Sequence, residues 1–253
     1  MRGDDAAPLE RSAKRFVERP LHSPLVDRSR LSRGEHLFSL FQQFPELHVG
    51  IFGKSLEKKS DAGCAKVLGF SQVACLKQVH GNTTHIVEGP MDGNLEGDGL
   101  ITSTPSLALS VRWADCQAFV TYVPEKSVIG VLHAGWRGMA QRAITAHFRQ
   151  LQANFGVEPS EVFVGAAPSL CKNCADFSDP LRELPSHLHP FIEGKNVDLQ
   201  AAADAELDAL GVPRAQRERH PVCTRCGEGF WSWRRDRVPE ARNYLVTGIR
   251  SLV

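Results

Sequence analysis

Two runs of strand-forming residues, separated by four turn-forming ones, constrain this chain more than any other feature. Ala118–Val123 and Val128–His133 flank Pro124-Glu125-Lys126-Ser127, so an antiparallel hairpin is expected there. A turn centred between Glu125 and Lys126 sets Cys116 opposite Gly135 and leaves His133 two residues from that partner. Side chains two apart on a strand point to the same face. Cys116 and His133 are therefore expected as diagonal neighbours on one face. Their backbones would lie roughly 7–8 Å apart, a gap that long ligand side chains can close.

A third candidate is His80, in Gln78-Val79-His80-Gly81 at the end of another expected strand. One thiolate and two imidazoles form a borderline-soft donor set suited to zinc, with a fourth position left open. Three protein donors point to catalysis rather than to a closed structural site, because a zinc ion activates water and polarises a leaving group. Spacing alone leaves a plainer reading open. A single histidine at a strand end is commonly a satisfied polar residue, and a single buried cysteine behaves as a small hydrophobe.

Around the hairpin, helical and strand signals alternate. A helix is expected over Ser55–Leu68, strands over Val73–Val79 and Thr83–Val87, a turn-rich loop over Asp92–Asp98, and strands over Leu100–Thr102 and Leu107–Trp113. After His133, the residues Ala140, Ile144, Phe148, Leu151 and Phe155 follow helical spacing from Gly138, with Gly156 where a helix ends. Glu161–Gly165 reads as a strand, Asp198–Leu210 as a helix with Asp198 as N-cap and Gly211 beyond it, and Tyr244–Ile249 as a closing strand. Grouped strands with helices between the groups predict an α+β fold, a single compact domain of mixed β-sheets flanked by helices.

Composition narrows the function classes. Thirty Lys and Arg stand against 29 Asp and Glu, for a net charge of +1, which disfavours nucleic acid as a partner held by its backbone charge. No run approaches the roughly 20 apolar residues of a membrane helix, and Met1–Ala7 carries two acids and no apolar signal core. A cytoplasmic protein with no membrane partner is expected. Seven cysteines, an odd number in a chain of this length, favour metal binding or catalysis over a disulfide scaffold.

Several segments resemble, in order, those of the YfiH family, also called the laccase-domain or polyphenol-oxidase-like family. They are Gln78-Val79-His80-Gly81, Gly97-Asp98-Gly99-Leu100-Ile101-Thr102, Ala114-Asp115-Cys116, His133-Ala134-Gly135-Trp136-Arg137-Gly138, Ala167-Pro168-Ser169-Leu170, Cys223-Thr224 and Ser232-Trp233-Arg234-Arg235. The resemblance implies that His80, Cys116 and His133 hold one catalytic zinc ion. Met1–Ser32 mixes charges with Pro8, Pro20 and Pro24 and shows no stable period, so a partly disordered extension over 1–32 is expected ahead of a YfiH-like catalytic domain over 33–253. The chain departs from the family near its start, where Ile51-Phe52-Gly53-Lys54 replaces an Arg and a Gly-Gly-Val-Ser-like segment, and at Ala118 and Ala167. The wall facing the substrate is therefore less transferable than the metal donors.

The family resemblance implies purine nucleoside chemistry: phosphorolysis of adenosine, inosine or methylthioadenosine, and deamination of adenosine, with a nucleoside and phosphate as the small-molecule partners. Phosphorolysis needs a cationic cradle and stabilisation of an oxocarbenium-like sugar. Arg137 at a helix start, Arg234 and Arg235 are candidates for that cradle, and Gln78 for substrate contact, although arginines beside tryptophans also serve in plain stacking. Asp115 is a candidate for orienting a histidine or for proton transfer, or else a structural carboxylate, and Asp98 is as ambiguous. One alternative is a zinc-dependent hydrolase that edits peptidoglycan precursors; another is a cysteine hydrolase with Cys116 as nucleophile and His133 as base. A coupled copper cluster is not expected, because the ten histidines are scattered and only His187-Leu188-His189 pairs them closely.

Two further pairs, Cys171-x-x-Cys174 and Cys223-x-x-Cys226, have the spacing of a four-thiolate structural zinc site. The intervening stretch, 175–222, exceeds the usual ribbon spacing, so free buried thiols are the preferred reading.

Overall fold

The hairpin forms in the register its turn dictates. In the computed structural model, which describes residues 38–55 and 60–250, Gln117 pairs with Ala134 and Val123 with Val128, around a short 3-10 turn closed by Ser127 at φ 50°. These strands are β7 (Gln117–Val123) and β8 (Val128–Ala134), and both are buried along their whole length. Their two faces serve different layers, as the period of two requires. Phe119, Val123, Leu132 and Ala134 pack with Ile144, Phe148, Leu151 and Leu207. The intervening Val120, Tyr122, Ile129 and Val131 pack with Ile51, Leu109, Val111 and Leu245.

That second set belongs to another sheet, so the fold is two mixed sheets face to face with helices outside. The first contains β1 (Leu47–Phe52), β2 (Gln72–Lys77), β4 (Met91–Glu96), β6 (Leu107–Trp113) and β13 (Asn243–Ile249), in the order β1-β13-β6-β2-β4. The second adds β3 (Thr84–Ile86), β5 (Gly99–Thr102), β9 (Phe163–Ala166) and β12 (Arg217–Arg219) to the hairpin, in the order β12-β9-β7-β8-β5-β3. A two-residue ribbon, β10 (Ile192–Glu193) with β11 (Asn196–Val197), lies apart. The expected α+β architecture is the observed one.

Helix α1 (Asp61–Val67) is capped by the Ser60 hydroxyl, which accepts from the Gly63 N–H at 3.0 Å, and it covers Phe52, Phe70 and Val246. It is shorter than the expected Ser55–Leu68, whose residues 56–59 lie outside the described ones. The expectation for 1–32 also lies outside them. Helices α2 (Trp136–Ala140) and α3 (Ala143–Phe155) replace the one helix expected from Gly138. Arg142 between them is left-handed at φ 57°, and the Gln141 carbonyl freed by the break accepts from Asn82 at 2.9 Å. Two four-residue helices, α4 (Pro180–Glu183) and α6 (Trp233–Asp236), flank α5 (Leu199–Leu210), which keeps both expected caps: Asp198 accepts from the Ala201 N–H and Gly211 follows at φ 87°.

One expected loop is a strand. Gly93, Asn94 and Gly97 predict a turn-rich loop over Asp92–Asp98, yet Met91–Glu96 pairs in parallel with β2. The register slips between Cys75 and Lys77, and Gly93 at φ 86° absorbs the extra residues as a bulge. The strand is an edge with mostly exposed side chains, so it carries no hydrophobic alternation to announce it.

Candidate metal centre and active site

The three expected donors arrive from three elements. His80 follows β2 in a loop, Cys116 immediately precedes β7, and His133 is on β8. Their donor atoms lie within 4.8 Å of one another, and the two imidazoles meet edge to face with centroids 4.9 Å apart. Gly135 closes the back of the group. A β-carbon there would stand 2.9 Å from Cys116 Sγ and 3.0 Å from His80 Cδ2, so only glycine leaves the space that the donors occupy.

Asp98 organises the two histidines. Its fully buried carboxylate accepts from His133 Nδ1 at 2.8 Å, which leaves Nε2 as the nitrogen free to coordinate. The same carboxylate accepts from the backbone N–H groups of Val79, His80 and Gly81 at 3.3, 3.0 and 2.7 Å. These bonds hold His80 in the left-handed region at φ 61°. Burial opposes ionisation of Asp98, but the bonds from His133 and from the Gly81 and Val79 backbone outweigh it and hold its pKa below the ordinary value. The orienting carboxylate is therefore Asp98 and not Asp115. Asp115, at φ 89°, accepts from Thr224 Oγ1 at 2.8 Å and from the Arg234 N–H at 2.7 Å, and so ties the wall of the site to the segment that carries Cys116 into β7.

Burial also opposes a charged Cys116, yet the charge and hydrogen bonds of His133 and His80 prevail and bring the thiol down to about 6. For His133, burial disfavours the imidazolium, while the Cys116 charge and the Asp98 hydrogen bond raise it to about 9. Each group thus favours the charged form of the other, and a divalent cation held by the donors would satisfy the same negative charge.

The donors open onto a cavity of about 740 Å3, within the size range of small-molecule sites. Trp136 and Phe177, ring centroids 5.9 Å apart, form an aromatic corner, and the Arg137 guanidinium stacks 4.2 Å over Trp136. Arg234 also lines the cavity and pairs with Asp176 at 2.6 Å. Arg112 and Arg242 line it as well, although neither stands in a motif that marks it. Gln78 borders the cavity, but its amide is occupied: Nε2 donates to the Arg112 carbonyl at 2.7 Å and Oε1 accepts from the Arg112 N–H at 2.8 Å. Arg235 does not join the cradle. Its guanidinium donates to the carbonyls of Thr224, Arg225, Gly227 and Phe230 and pairs with Asp236.

With that geometry in view, the model of one protein family, described as multi-copper polyphenol oxidoreductase laccase, matches residues 56–249. The chain belongs to this laccase-domain family. A purine nucleoside phosphorylase of Deinococcus radiodurans is 31% identical to it over 216 residues, which cover 78% of this chain and 82% of the relative. Adenosine deaminase RL5, from an unknown prokaryotic organism, is 30% identical over 167 residues, or 61% of this chain and 63% of the relative. The crystal structure of YlmD from Geobacillus stearothermophilus superimposes with a TM-score of 0.73 at 27% identity, covering 83% of this chain and 94% of that one.

In this laccase-domain protein a second donor group stands apart from the first. The sulfurs of Cys171, Cys174, Cys223 and Cys226 all lie within 4.8 Å of one another. Among the described residues no helix is long and apolar enough to cross a membrane.

Proposed function

We propose that this chain is a zinc-dependent purine nucleoside enzyme that cleaves adenosine, inosine or methylthioadenosine with phosphate, and that adenosine deamination is a second reaction of the same site. The observation that carries this reading is the convergence of His80, Cys116 and His133 at the floor of an aromatic and cationic cavity. The names borne by the phosphorylase and deaminase relatives support the substrate class.

The donor set fits zinc: one thiolate, two imidazoles, a buried carboxylate fixing one imidazole, and a glycine where a methyl group would obstruct the donors. Bound there, the ion supplies Lewis acidity, which activates water and polarises a leaving group. The protein's own side chains do the remaining work. Trp136 and Phe177 offer flat apolar faces to a purine and exclude water from it. Arg137 and Arg234 line the same cavity and supply positive charge for an incoming phosphate, Arg234 from within its ion pair with Asp176. Phosphorolysis forms a bond from a phosphate oxygen to the anomeric carbon while the bond from that carbon to the purine nitrogen breaks, and the purine takes up a proton as it leaves.

The reading is tested by supplying purified protein of known zinc content with each nucleoside, with and without phosphate. Adenine and ribose-1-phosphate are expected from adenosine plus phosphate. If fully zinc-loaded protein leaves all three nucleosides intact, the peptidoglycan-precursor hydrolase becomes the working account.

A cysteine hydrolase remains as a second reading because the Cys116 and His133 shifts describe an activated thiolate. Metal dependence separates the two, since a thiolate bound to zinc is not free to attack. A stoichiometric blue copper band would overturn both the zinc assignment and the expectation of no copper cluster.

A further inference from the structure

We infer that Cys171, Cys174, Cys223 and Cys226 hold a second, structural zinc ion that clips two loops together beside the active site. The inference is independent of the nucleoside reading.

The topology brings the two pairs together. β9 and β12 are parallel neighbours, with Val164 opposite Arg217 and Ala166 opposite Arg219, so their C-terminal ends leave the sheet side by side. Each is followed by a Cys-x-x-Cys loop. An isolated parallel bridge between Ser169 and Cys223 continues the alignment, and the Thr224 N–H donates to the Ser169 carbonyl at 3.1 Å. The length of 175–222 is thus immaterial, because pairing through the sheet, and not local chain reach, sets the meeting of the pairs.

The donor geometry suits one tetrahedral ion. Four thiolates at the usual zinc–sulfur bond length of about 2.3 Å stand about 3.8 Å apart along each edge of the tetrahedron. The measured group has Cys171 Sγ and Cys226 Sγ at 4.0 Å and every pair within 4.8 Å. Backbone N–H groups favour a thiolate at one member, Cys223. Cys223 Sγ accepts from the Cys171 N–H at 3.3 Å and from the N–H groups of Arg225 and Cys226 in its own loop. Turning the N–H groups inward leaves the carbonyls of Thr224, Arg225 and Gly227 facing out, and the Arg235 guanidinium gathers all three. On binding, a Zn2+ ion replaces the thiol protons, which pass to solvent.

The clip reaches the catalytic wall through one residue. Thr224, directly after Cys223, donates from Oγ1 to Asp115, whose other oxygen holds the Arg234 N–H and whose neighbour is Cys116.

Zinc analysis of the full chain tests this directly. Wild type should hold two zinc ions per chain, Cys226→Ser one, and the double variant His80→Ala, Cys116→Ser one. Cobalt substitution supplies a second readout: the intense sulfur-to-cobalt absorption of a four-thiolate site should persist in His80→Ala and vanish in Cys226→Ser. A wild type with a single zinc that Cys226→Ser retains would overturn the inference. So would disulfides within the group found by mass spectrometry of unreduced protein, or an iron chromophore in place of zinc. Wild type with one zinc, lost in Cys226→Ser, would support the clip and contradict the catalytic site instead.

Discussion

Asp98 and His133 are joined twice: the carboxylate accepts from the ring Nδ1 at 2.8 Å, and the Asp98 carbonyl accepts from the His133 N–H at 2.7 Å. Because the same carboxylate also gathers the backbone of Val79, His80 and Gly81, one side chain sets the position of both imidazole donors. Asp98→Asn presents an amide N–H to groups that are themselves donors. Zinc affinity should fall by about 10–100-fold. Stability should fall by about 1–3 kcal/mol from donors left unpaired in a buried place. Chelator competition and thermal melting of the same preparation measure the two effects.

Gly135 gives a cleaner perturbation of the donors. Its backbone, φ −68° and ψ 173°, is one that alanine adopts without strain, so Gly135→Ala acts only through its new methyl group. That group would lie 2.9 Å from Cys116 Sγ. The variant should melt within a few degrees of wild type yet lose most of its catalytic zinc and its nucleoside turnover. Retention of full zinc and activity would show that the donors do not need this space.

Arg137 separates the two proposed reactions. Phosphorolysis requires an anion held beside the sugar, whereas deamination does not. Arg137→Ala should therefore lower kcat/KM for adenosine with phosphate by on the order of 10–100-fold and change the phosphate-independent release of ammonia much less. Equal losses in both assays would place Arg137 in nucleoside binding.

Acid sensitivity should trace in part to His147. This imidazole is wholly buried between the hydroxyls of Thr84 and Thr121, with Gly99 and Gly130 leaving room for the ring, and burial pulls it down to about 3. The folded state keeps it neutral, while in the unfolded chain it takes up a proton near the ordinary pKa of about 6.5. Its contribution is complete above about pH 6.5 and is lost as pH falls toward about 3, at no more than about 1.4 kcal/mol per pH unit. Carboxylates held low, such as Asp98 and Asp176, add their own acid loss. The informative quantity is therefore the difference from His147→Gln, whose stability should fall less steeply over that window. Parallel denaturation curves would contradict the assignment.

The hairpin and the meeting of its two donors were legible because a proline-led turn and two continuous apolar strands admit one register, and register alone brings Cys116 and His133 together. What the sequence hid depends on neighbours distant along the chain. Gly93 and Asn94 resemble a turn until β2 supplies a partner for the strand they occupy. Arg234 and Arg235 are adjacent on a four-residue helix, and nothing local tells which faces the cavity and which the carbonyls of 224–227. Asp98, in a glycine-flanked segment typical of turns, becomes a second-layer carboxylate only when β5 and β8 pair. The distance between the two Cys-x-x-Cys pairs hides the meeting of their sulfurs, because parallel strands and not a local ribbon bring them together.

The most direct trial of the account is adenosine turnover with phosphate by protein stripped of metal and then reloaded with zinc. Activity should disappear on stripping, return on reloading, and fail to return in His80→Ala. Undiminished release of adenine by the stripped protein, or none from protein fully reloaded, would contradict it.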